Sequence, residues 1–364
     1  MKKEAKRVFI SDCEGPISKN DNAFELATHF IPEGNKLFAL ISKYDDVLAD
    51  VLKRPGYKAG DTLKLILPFL KAYDVTDRKM LEFSQQNILL IPYVKKALMY
   101  IRSFMPTFIV STSYEHFIRA LCNAIEFPYE NTYCTRLRLD KYTLTESEKD
   151  KLRKLSREIA DLPMIKIPEN AKTLEDFSEI HQATIRRLDE IFWKELTIME
   201  IGEILNEVNP VGGREKASAV NEIVDKQEMD LADVMYVGDS ITDAEAFRLV
   251  RRKGGLTISF NGNWYAVREA EVAVLAENAA AIAVLAQIFH DFGKEKVLWL
   301  AENWNLNNIQ QFNIPLRFVE QLIFAHPQGL PKIKIVKSQN MEEIAKESSN
   351  FRKKVRGEVI GKLG

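Results

Sequence analysis

Two hydrophobic segments of the sequence each lead into a pair of carboxylates. The first segment, near the start of the chain, precedes Asp12 and Glu14, and a Gly-Pro turn follows them. The second, residues 234–238, precedes Asp239 and Asp243, just before a helical pattern begins. Taken singly, each pair is typical of a solvated strand end, and Asp243 also suits the N-terminal cap of a helix. Together, carboxylates at two strand ends can bind a hard cation such as Mg²⁺ or take part in acid–base chemistry.

Two more polar residues stand at comparable positions between these pairs. Ser111 ends the hydrophobic segment 108–111, and Lys216 follows a Gly-Gly step at the predicted start of a helix. A serine at a strand end is common, and so is a surface lysine, so neither is specific singly. The order of all these residues along the chain makes the set informative.

Five short segments rich in Val, Ile, Phe and Tyr predict buried β-strands. They are Arg7–Asp12, Thr107–Ser111, Asp233–Gly238, Leu256–Phe260 and Glu271–Leu275. Helical patterns separate most of them, which predicts an α/β fold with a Rossmann-like parallel sheet covered on both faces. Ligands of such sheets bind beyond the carboxyl ends of the strands, so the polar residues that end the strands are expected to share one edge.

The chain of 364 residues is longer than one compact core usually needs. The predicted units are a catalytic core (1–16, 104–134 and 210–290), a helical cap (17–103), a second helical insertion (135–209) and a helical C-terminal extension (291–364). Within the second insertion, Leu174–Asn206 forms one long amphipathic pattern. The sequence therefore predicts a core interrupted twice by helical segments.

The four motifs, in this order, resemble the haloacid dehalogenase superfamily. Its first motif, Asp-x-Asp, is similar to Asp12-Cys13-Glu14; its second, a Ser or Thr that ends a strand, to Ser111; its third, a lone Lys at a helix start, to Lys216; and its fourth, Gly-Asp-x-x-x-Asp, to the run from Gly238 to Asp243. The resemblance covers roughly residues 5–16, 104–134 and 210–290. It implies the fold of that superfamily and the activity of a phosphatase.

The resemblance also implies a role for each motif residue. Asp12 would attack phosphorus and form an aspartyl phosphate, which divides one displacement into two. Glu14 would protonate the leaving oxygen and then deprotonate water. Ser111 would donate a hydrogen bond to the phosphoryl oxygens, and Lys216 would offset their charge. The implied ligands of Mg²⁺ are Asp12, Asp239, the backbone carbonyl of Glu14, and Asp243 as a ligand or as the partner of one.

The superfamily usually has aspartate at the position of Glu14. Enolase-phosphatases and a branch of the phosphoserine phosphatases are similar in having Asp-x-Glu, whereas its dehalogenases and phosphonatases have no acid there. Glu14 therefore favours phosphate ester chemistry. The helical cap resembles that of phosphoserine phosphatase-like members, although the Glu and Arg pair with which those enzymes bind the amino acid is not matched. The insertion and the tail also resemble an archaeal branch of the superfamily with a poorly defined substrate.

Three functions stay open at this point. The first is hydrolysis of a small phosphorylated metabolite. The second is transfer of the phosphoryl group to an acceptor other than water. The third is a binding or assembly subunit that keeps the fold without useful turnover, with a second copy or a protein partner held by the insertion and the tail. The intact set of motif residues speaks against the third function.

The composition excludes several other classes. With 51 basic and 52 acidic residues, the formal net charge is −1, which gives no electrostatic footprint for nucleic acid or an anionic membrane. The longest apolar run is far shorter than a membrane span. Three cysteines without a zinc or redox spacing, and a charged N-terminus untypical of a signal peptide, lead us to expect a cytoplasmic protein.

For several conspicuous residues the sequence favours an ordinary structural role. Cys13 is expected to be a buried spacer between the two acids. Solvated cap surface is expected for Asp21, Glu25, Arg54, Tyr57 and Lys58. Basic residues cluster near both ends of the chain and are expected to be solvated tails or helix faces; they are Lys2, Lys3, Lys6, Arg7, Arg352, Lys353, Lys354 and Arg356.

Overall fold

The computed structural model of the chain describes residues 6–326 and 329–362. Within them lies a seven-stranded sheet with the order β3-β2-β1-β4-β5-β6-β7. The strands are β1 (Val8–Ser11), β2 (Thr107–Tyr114), β3 (Thr132–Thr135), β4 (Val234–Gly238), β5 (Leu256–Phe260), β6 (Val272–Leu275) and β7 (Lys332–Ile335). All neighbours pair in parallel except β7, which runs antiparallel to β6. The predicted α/β fold is confirmed, and β3 and β7 are additions to the five predicted strands.

Helices surround the sheet and form the cap. Their bounds are α1 (Asn22–Phe30), α2 (Gly34–Asp46), α3 (Thr62–Ala72), α4 (Asp77–Gln86), α5 (Val94–Arg102), α6 (Glu115–Ile125), α7 (Glu146–Asp161), α8 (Glu179–Glu190), α9 (Ile204–Glu207), α10 (Arg214–Gln227), α11 (Ala244–Arg252), α12 (Trp264–Glu269), α13 (Ala280–Phe292), α14 (Lys294–Glu302), α15 (Leu306–Ile309), α16 (Leu316–Phe324) and α17 (Met341–Arg356). Helices α2 and α8 continue into π-helical turns at Val47–Val51 and Ile191–Glu195.

The segment 174–206 is not one long helix, although its pattern is amphipathic over its whole length. It contains α8, the π-helical turn after it, and short helical turns that lead into α9. The chain folds back tightly between these pieces. The backbone at Gly202 lies so close to Leu196 that an added Cβ would be only 2.3 Å from the Leu196 carbonyl oxygen.

The central strands are buried on both faces of the sheet. On one face, Val8 and Ile10 of β1 pack with residues of α10 and α11. On the other, Phe9 packs with residues of α5, α6 and α13. Helix α5 was assigned to the cap from the sequence, but its Val94 and Leu98 belong to this second cluster beneath the sheet. Burial on both faces explains why these strands are continuous apolar runs.

The cap is one helical body built from two distant parts of the chain. Residues 23–80 and residues 137–208 share a single hydrophobic cluster. Phe192 from the second part stacks on Tyr44 at a centroid distance of 5.9 Å and meets Phe69 edge-on at 6.1 Å. The two insertions inferred from the sequence are therefore packed together as one cap over the sheet.

The C-terminal extension, predicted to be helical, is mostly helical but also supplies β7. In this edge strand lysines alternate with isoleucines, and Ile333 is buried while Lys332 is exposed. Helix α17 follows and packs against α12 and β6. Its position brings the end of the chain close to the carboxyl ends of the central strands. Within the described residues, no helix combines the length and apolar character needed to cross a membrane.

Candidate active site

The carboxyl ends of β1 and β4 bring the two pairs of carboxylates together. Asp12 directly follows β1, and its backbone N–H donates to the carbonyl oxygen of Val237 on β4 at 2.8 Å. Asp239 directly follows β4. One carboxylate oxygen from each of Asp12, Asp239 and Asp243 lies within 4.8 Å of the others, and all three residues are buried. Because β1 and β4 are neighbours in the sheet, residues more than 220 positions apart meet at one edge.

Two glycines make this close approach possible. Gly15 has φ 107°, and a Cβ added there would lie 2.1 Å from a carboxylate oxygen of Asp239. Gly238 ends β4, and a Cβ added there would lie 2.4 Å from the carboxyl carbon of Asp243. A larger residue at either position would push a carboxylate out of the cluster, so both positions require glycine.

Lys216 lies in the first turn of α10 and joins two of the carboxylates. Its ammonium group is 2.6 Å from Asp12 Oδ2 and 2.7 Å from Asp243 Oδ1, and its side chain is fully buried. Burial alone would lower the pKa of Lys216, but the charges of Asp12 and Asp243 outweigh it and raise that pKa. Lys216 is therefore a fixed positive charge beside Asp12.

Both carboxylate oxygens of Asp243 accept hydrogen bonds from the protein. Oδ1 accepts from the Tyr236 hydroxyl at 2.9 Å as well as from Lys216. Oδ2 accepts from the backbone N–H groups of Asp239 at 2.9 Å and Ser240 at 3.1 Å. Asp243 thus fixes the turn that carries Asp239 and holds Lys216 in place.

Asp12 is held by contacts on both of its oxygens. Oδ1 accepts from the backbone N–H of Cys13 at 2.6 Å, while Oδ2 contacts Lys216. Burial raises the pKa of Asp12 to about 6, although Lys216 opposes this shift. Near neutral pH the carboxylate is therefore largely ionised despite being buried. Cys13 is itself buried, as the alternation along the strand predicts.

Glu14 has a different environment from Asp12. Its Oε1 accepts from the backbone N–H of Asn22, at the start of α1, at 2.7 Å. Burial, together with the negative charge of Asp21, raises the pKa of Glu14 to about 8. The Glu14 side chain is therefore largely protonated at neutral pH and can donate a proton.

Ser111 lines the same cavity as Asp12 and Glu14. It is buried, and its hydroxyl donates to Ser113 Oγ at 3.1 Å and accepts from the backbone N–H of Ser113 at 3.2 Å. A hydroxyl hydrogen rotates freely about its C–O bond, so the same group can donate to an oxygen that enters the cavity.

Two arginines in the site were predicted to be solvated, and that prediction is wrong. Arg352 and Arg356 on α17 are both buried and contact Asp239 Oδ2. Four residues apart on a helix, they lie on one face, and that face also buries Ile344 and Ser348. This spacing is the signal that separates them from the neighbouring solvated lysines. Of the N-terminal basic run, Lys2 and Lys3 lie outside the described residues.

The cavity between the core and the cap is small, at about 90 Å³. Core residues that line it include Asp12, Glu14, Ser111 and Asp239, and cap residues that line it include Phe38, Ser42, Asp45, Asp46 and Thr62. Asp21, expected on the cap surface, also lines this cavity and caps α1 by accepting from the Phe24 N–H at 3.0 Å. The site is thus lined by both parts of the molecule.

The other cap residues expected to be solvated have structural partners. Both oxygens of Glu25 accept from Asn20, and burial raises the pKa of Glu25 to about 7. Arg54 pairs with Asp189 at 2.7 Å and joins the two parts of the cap. The hydroxyl of Tyr57 donates to Asp45 at 2.7 Å. Lys58 is buried and pairs with Glu215 of α10 at 2.7 Å, a contact between cap and core.

The donor set of the cluster fits magnesium. Its three residues are buried carboxylates that offer oxygen atoms and include no histidine or thiolate, and Mg²⁺ prefers such hard oxygen ligands. Like charges this close also repel unless positive charge enters among them. In the structure Lys216 and the two arginines supply part of that positive charge.

More than half of the chain matches one known protein family. Residues 89–282 match the family described as haloacid dehalogenase-like hydrolase. The chain belongs to this family. Within the haloacid dehalogenase-like match lie Ser111, Lys216, Asp239 and Asp243; Asp12 and Glu14 precede it and α17 follows it.

One solved structure matches the chain over nearly its whole length. The structure of gene product AF1437 from Archaeoglobus fulgidus is 26% identical, covers 99% of this chain and 99% of its own, and superposes with a TM-score of 0.80. The similarity therefore includes the cap and the C-terminal extension of this haloacid dehalogenase-like protein. A phosphoserine phosphatase in apo form is 12% identical, covering 76% of this chain and 97% of that chain with a TM-score of 0.45. No curated protein sequence matches the chain.

Proposed function

We propose that the protein is a magnesium-dependent phosphate monoester hydrolase that acts on a small phosphorylated metabolite through an aspartyl phosphate. The observation that carries this proposal is the position of Asp12, a buried carboxylate at the end of β1 that lies 2.6 Å from Lys216 and within the carboxylate cluster. The small size of the cavity favours a phosphoryl group with a compact leaving group.

In this proposal Asp12 is the nucleophile, and the protein has already oriented it. Cys13 N–H and Lys216 hold one oxygen each, which fixes the carboxylate plane before a substrate arrives. Attack on phosphorus would form the Asp12 phosphate and release the alcohol. Lys216 would also offset negative charge that develops on the phosphoryl oxygens, and Ser111 would donate a hydrogen bond to them.

Glu14 would be the acid of the first step and the base of the second. Its raised pKa of about 8 keeps the proton on the carboxyl group at neutral pH. The leaving oxygen would take this proton, and the resulting carboxylate would then accept a proton from the water that attacks the Asp12 phosphate.

Asp12, Asp239 and the backbone carbonyl of Glu14 would hold Mg²⁺, which when bound supplies positive charge toward the phosphoryl oxygens. The sequence left Asp243 as a metal ligand or as the partner of one, and we propose the second, a positioning role. Four hydrogen bonds already occupy its two oxygens, and they fix Lys216 and the turn at Asp239.

The test is a screen of alkyl and aryl phosphates with and without Mg²⁺, in which both the released alcohol and inorganic phosphate are measured. We expect hydrolysis that disappears with a chelator and returns with Mg²⁺. Asp12→Asn should reduce turnover to background, because an amide is a poor nucleophile, whereas Asp225→Asn at an exposed site of α10 should match the parent. Turnover retained in Asp12→Asn would overturn the proposal. Alcohol released without equivalent inorganic phosphate would indicate transfer to another acceptor.

A further inference from the structure

Helix α17 supplies two positive charges to the site from outside the residues that match the family. Arg352 and Arg356 each have side chains only 4% exposed, and the match to the family ends at residue 282. A buried guanidinium is costly unless it is paired, so two of them in one small cavity require anionic partners.

Asp239 is the anionic partner of both arginines. Arg352 Nη1 contacts Asp239 Oδ2, and it also donates to the backbone oxygen of Asp239 at 3.3 Å. Arg356 Nη1 lies 3.1 Å from the same Oδ2. Two cations thus converge on one oxygen of the carboxylate that we propose as a metal ligand.

The arginines are held where they are by the protein backbone. Arg356 Nε donates to the carbonyl oxygen of Lys19 at 3.0 Å, and its Nη2 donates to that of Asn20. One turn before Arg352, Ser348 Oγ donates to the carbonyl oxygen of Gly262 at 2.7 Å. These contacts fix α17 against the turns that follow β1 and β5, so the guanidinium groups are placed before any ligand binds.

The cavity that contains Asp12, Glu14 and Ser111 is lined by two basic side chains, those of Arg352 and Arg356. Lys216, in comparison, lies behind Asp12 and is already paired with two carboxylates. An anion that enters the cavity therefore meets the guanidinium groups of α17. A guanidinium group presents several N–H donors in one plane, which suits the oxygens of a phosphate.

We propose that Arg352 and Arg356 are phosphate-binding residues and that they make Mg²⁺ and phosphate bind cooperatively. This inference rests on the proposed function. Two guanidinium groups already contact Asp239 Oδ2, so Mg²⁺ alone would have to compete with them for this carboxylate. A phosphate dianion would supply new acceptors for the arginines while Asp239 serves the metal. Each ligand thereby favours the other, and the coupling must be equal in both directions.

The test measures binding alone, without turnover. Mg²⁺ and inorganic phosphate are titrated by calorimetry, each with and without the other, with free concentrations corrected for the magnesium phosphate complex. The proteins compared are the parent, Arg352→Gln, Arg356→Gln and the control Lys354→Gln, which removes one exposed charge from the same helix. For the parent we expect Mg²⁺ to bind at least 10-fold more tightly when phosphate is present.

Each arginine variant should bind phosphate at least 10-fold more weakly than the parent in the presence of Mg²⁺. The factor by which phosphate increases the affinity for Mg²⁺ should also be smaller than in the parent. Mg²⁺ affinity without phosphate should stay equal or increase, since a competing cation has left Asp239. Lys354→Gln should match the parent. If an arginine variant fails to fold, the lysine variant at the same position replaces it, Arg352→Lys or Arg356→Lys. The charge then remains but the planar donor group is lost, so phosphate binding should still weaken.

Parent-like phosphate affinity and coupling in both arginine variants would overturn the inference and leave the arginines as counter-ions of Asp239 only. That result would not touch the proposed function, because hydrolysis by the parent and its loss in Asp12→Asn are measured separately. Conversely, the parent could bind Mg²⁺ and phosphate cooperatively and yet hydrolyse no phosphate ester. That result would contradict the proposed function and leave the binding role of the arginines intact.

Discussion

Asp12 and Glu14 are two residues apart, yet their surroundings give them different affinities for protons. Lys216 lies against Asp12 and limits the effect of burial, so the pKa of Asp12 reaches only about 6. For Glu14, burial and the charge of Asp21 outweigh the opposing effects of the Asn22 N–H and Arg356, and its pKa reaches about 8. Two acids with separated pKa values can divide the roles of nucleophile and proton donor between them. The separation depends on residues from α1 and α10 that the motif itself does not contain.

We predict that replacing Glu14 with Gln affects substrates according to their leaving groups. An alkyl alkoxide needs a proton to depart, whereas a nitrophenolate hardly does. General acid catalysis is typically worth roughly 10²–10⁴ in rate, so Glu14→Gln should slow alkyl phosphates by about that factor and nitrophenyl phosphate much less. Because the second step also loses its base, the nitrophenyl ester should give a burst of nitrophenol in rapid-mixing experiments.

Two comparisons control this prediction. Glu14→Asp keeps the carboxyl group and shortens the side chain by one bond, so it should retain partial activity on both ester types. In the parent, the rate of the first step on alkyl phosphates should fall as the pH rises through about 8, where Glu14 loses its proton. Equal losses on both esters without a burst would mean that Glu14 serves the turn or the metal and not the leaving group.

At the scale of the elements, local sequence patterns predicted most of the sheet but not its edges. The five central segments are apolar on both faces and are visible as continuous runs, whereas β3 reads Thr-Tyr-Cys-Thr without an aliphatic residue and β7 alternates lysine with isoleucine. The motif residues could be placed because they end such runs. The division of the segment 174–206 is not visible in its continuous amphipathic pattern; close contacts such as that of Gly202 with the Leu196 carbonyl oxygen appear only in the folded chain.

A buried acid in the cap should make the stability of the protein depend on pH. Asp45 accepts from the Tyr57 hydroxyl at 2.7 Å and from the Gly60 N–H at 2.9 Å, yet burial raises its pKa to about 7. The folded state therefore binds the proton more tightly than the unfolded state does. The resulting stabilisation is complete below about pH 4 and is lost as the pH rises through about 7.

We therefore predict that Asp45→Asn weakens the decline in unfolding free energy between pH 5 and pH 8. The decline removed over this range should be at most about 3 kcal/mol, because the folded state holds one extra proton over roughly two pH units, at about 1.4 kcal/mol for each. Urea unfolding with a chelator present measures it, so that metal binding does not contribute. Asp225→Asn at an exposed site should leave the pH dependence as in the parent. An unchanged slope in Asp45→Asn would show that this carboxyl group is ionised in the folded protein.

At the scale of the whole molecule, the site depends on contacts between distant parts of the chain. Arg352 lies 113 residues beyond Asp239, and nothing local to either residue indicates that they meet. The sequence therefore predicted the carboxylates, the serine and the lysine of the site but treated the arginines as solvated. The two parts of the cap are likewise joined by packing that only the folded chain shows.

Cap and core approach each other closely just before Lys216. A Cβ added at Gly212 of the core would lie 2.3 Å from the carbonyl oxygen of Ala59 in the cap. Next to this contact, the buried ammonium of Lys58 pairs with Glu215 at 2.7 Å and donates to Asn209. The cavity of about 90 Å³ lies between these two layers, so their separation would widen the way in for a substrate.

We predict that Lys58→Gln makes this separation easier. Leaving a partly buried partner without its hydrogen bonds typically costs about 1–3 kcal/mol, so backbone amides at 58–62 and 211–216 should exchange hydrogen about 5- to 150-fold faster than in the parent. KM should rise, since the closed site is less populated.

Lys64→Gln removes a similar pair, with Asp61 at 2.7 Å, from within the cap and serves as the control. It should not speed exchange at 211–216. Unchanged exchange on both sides in Lys58→Gln would show that the glycine contact alone holds the cap closed.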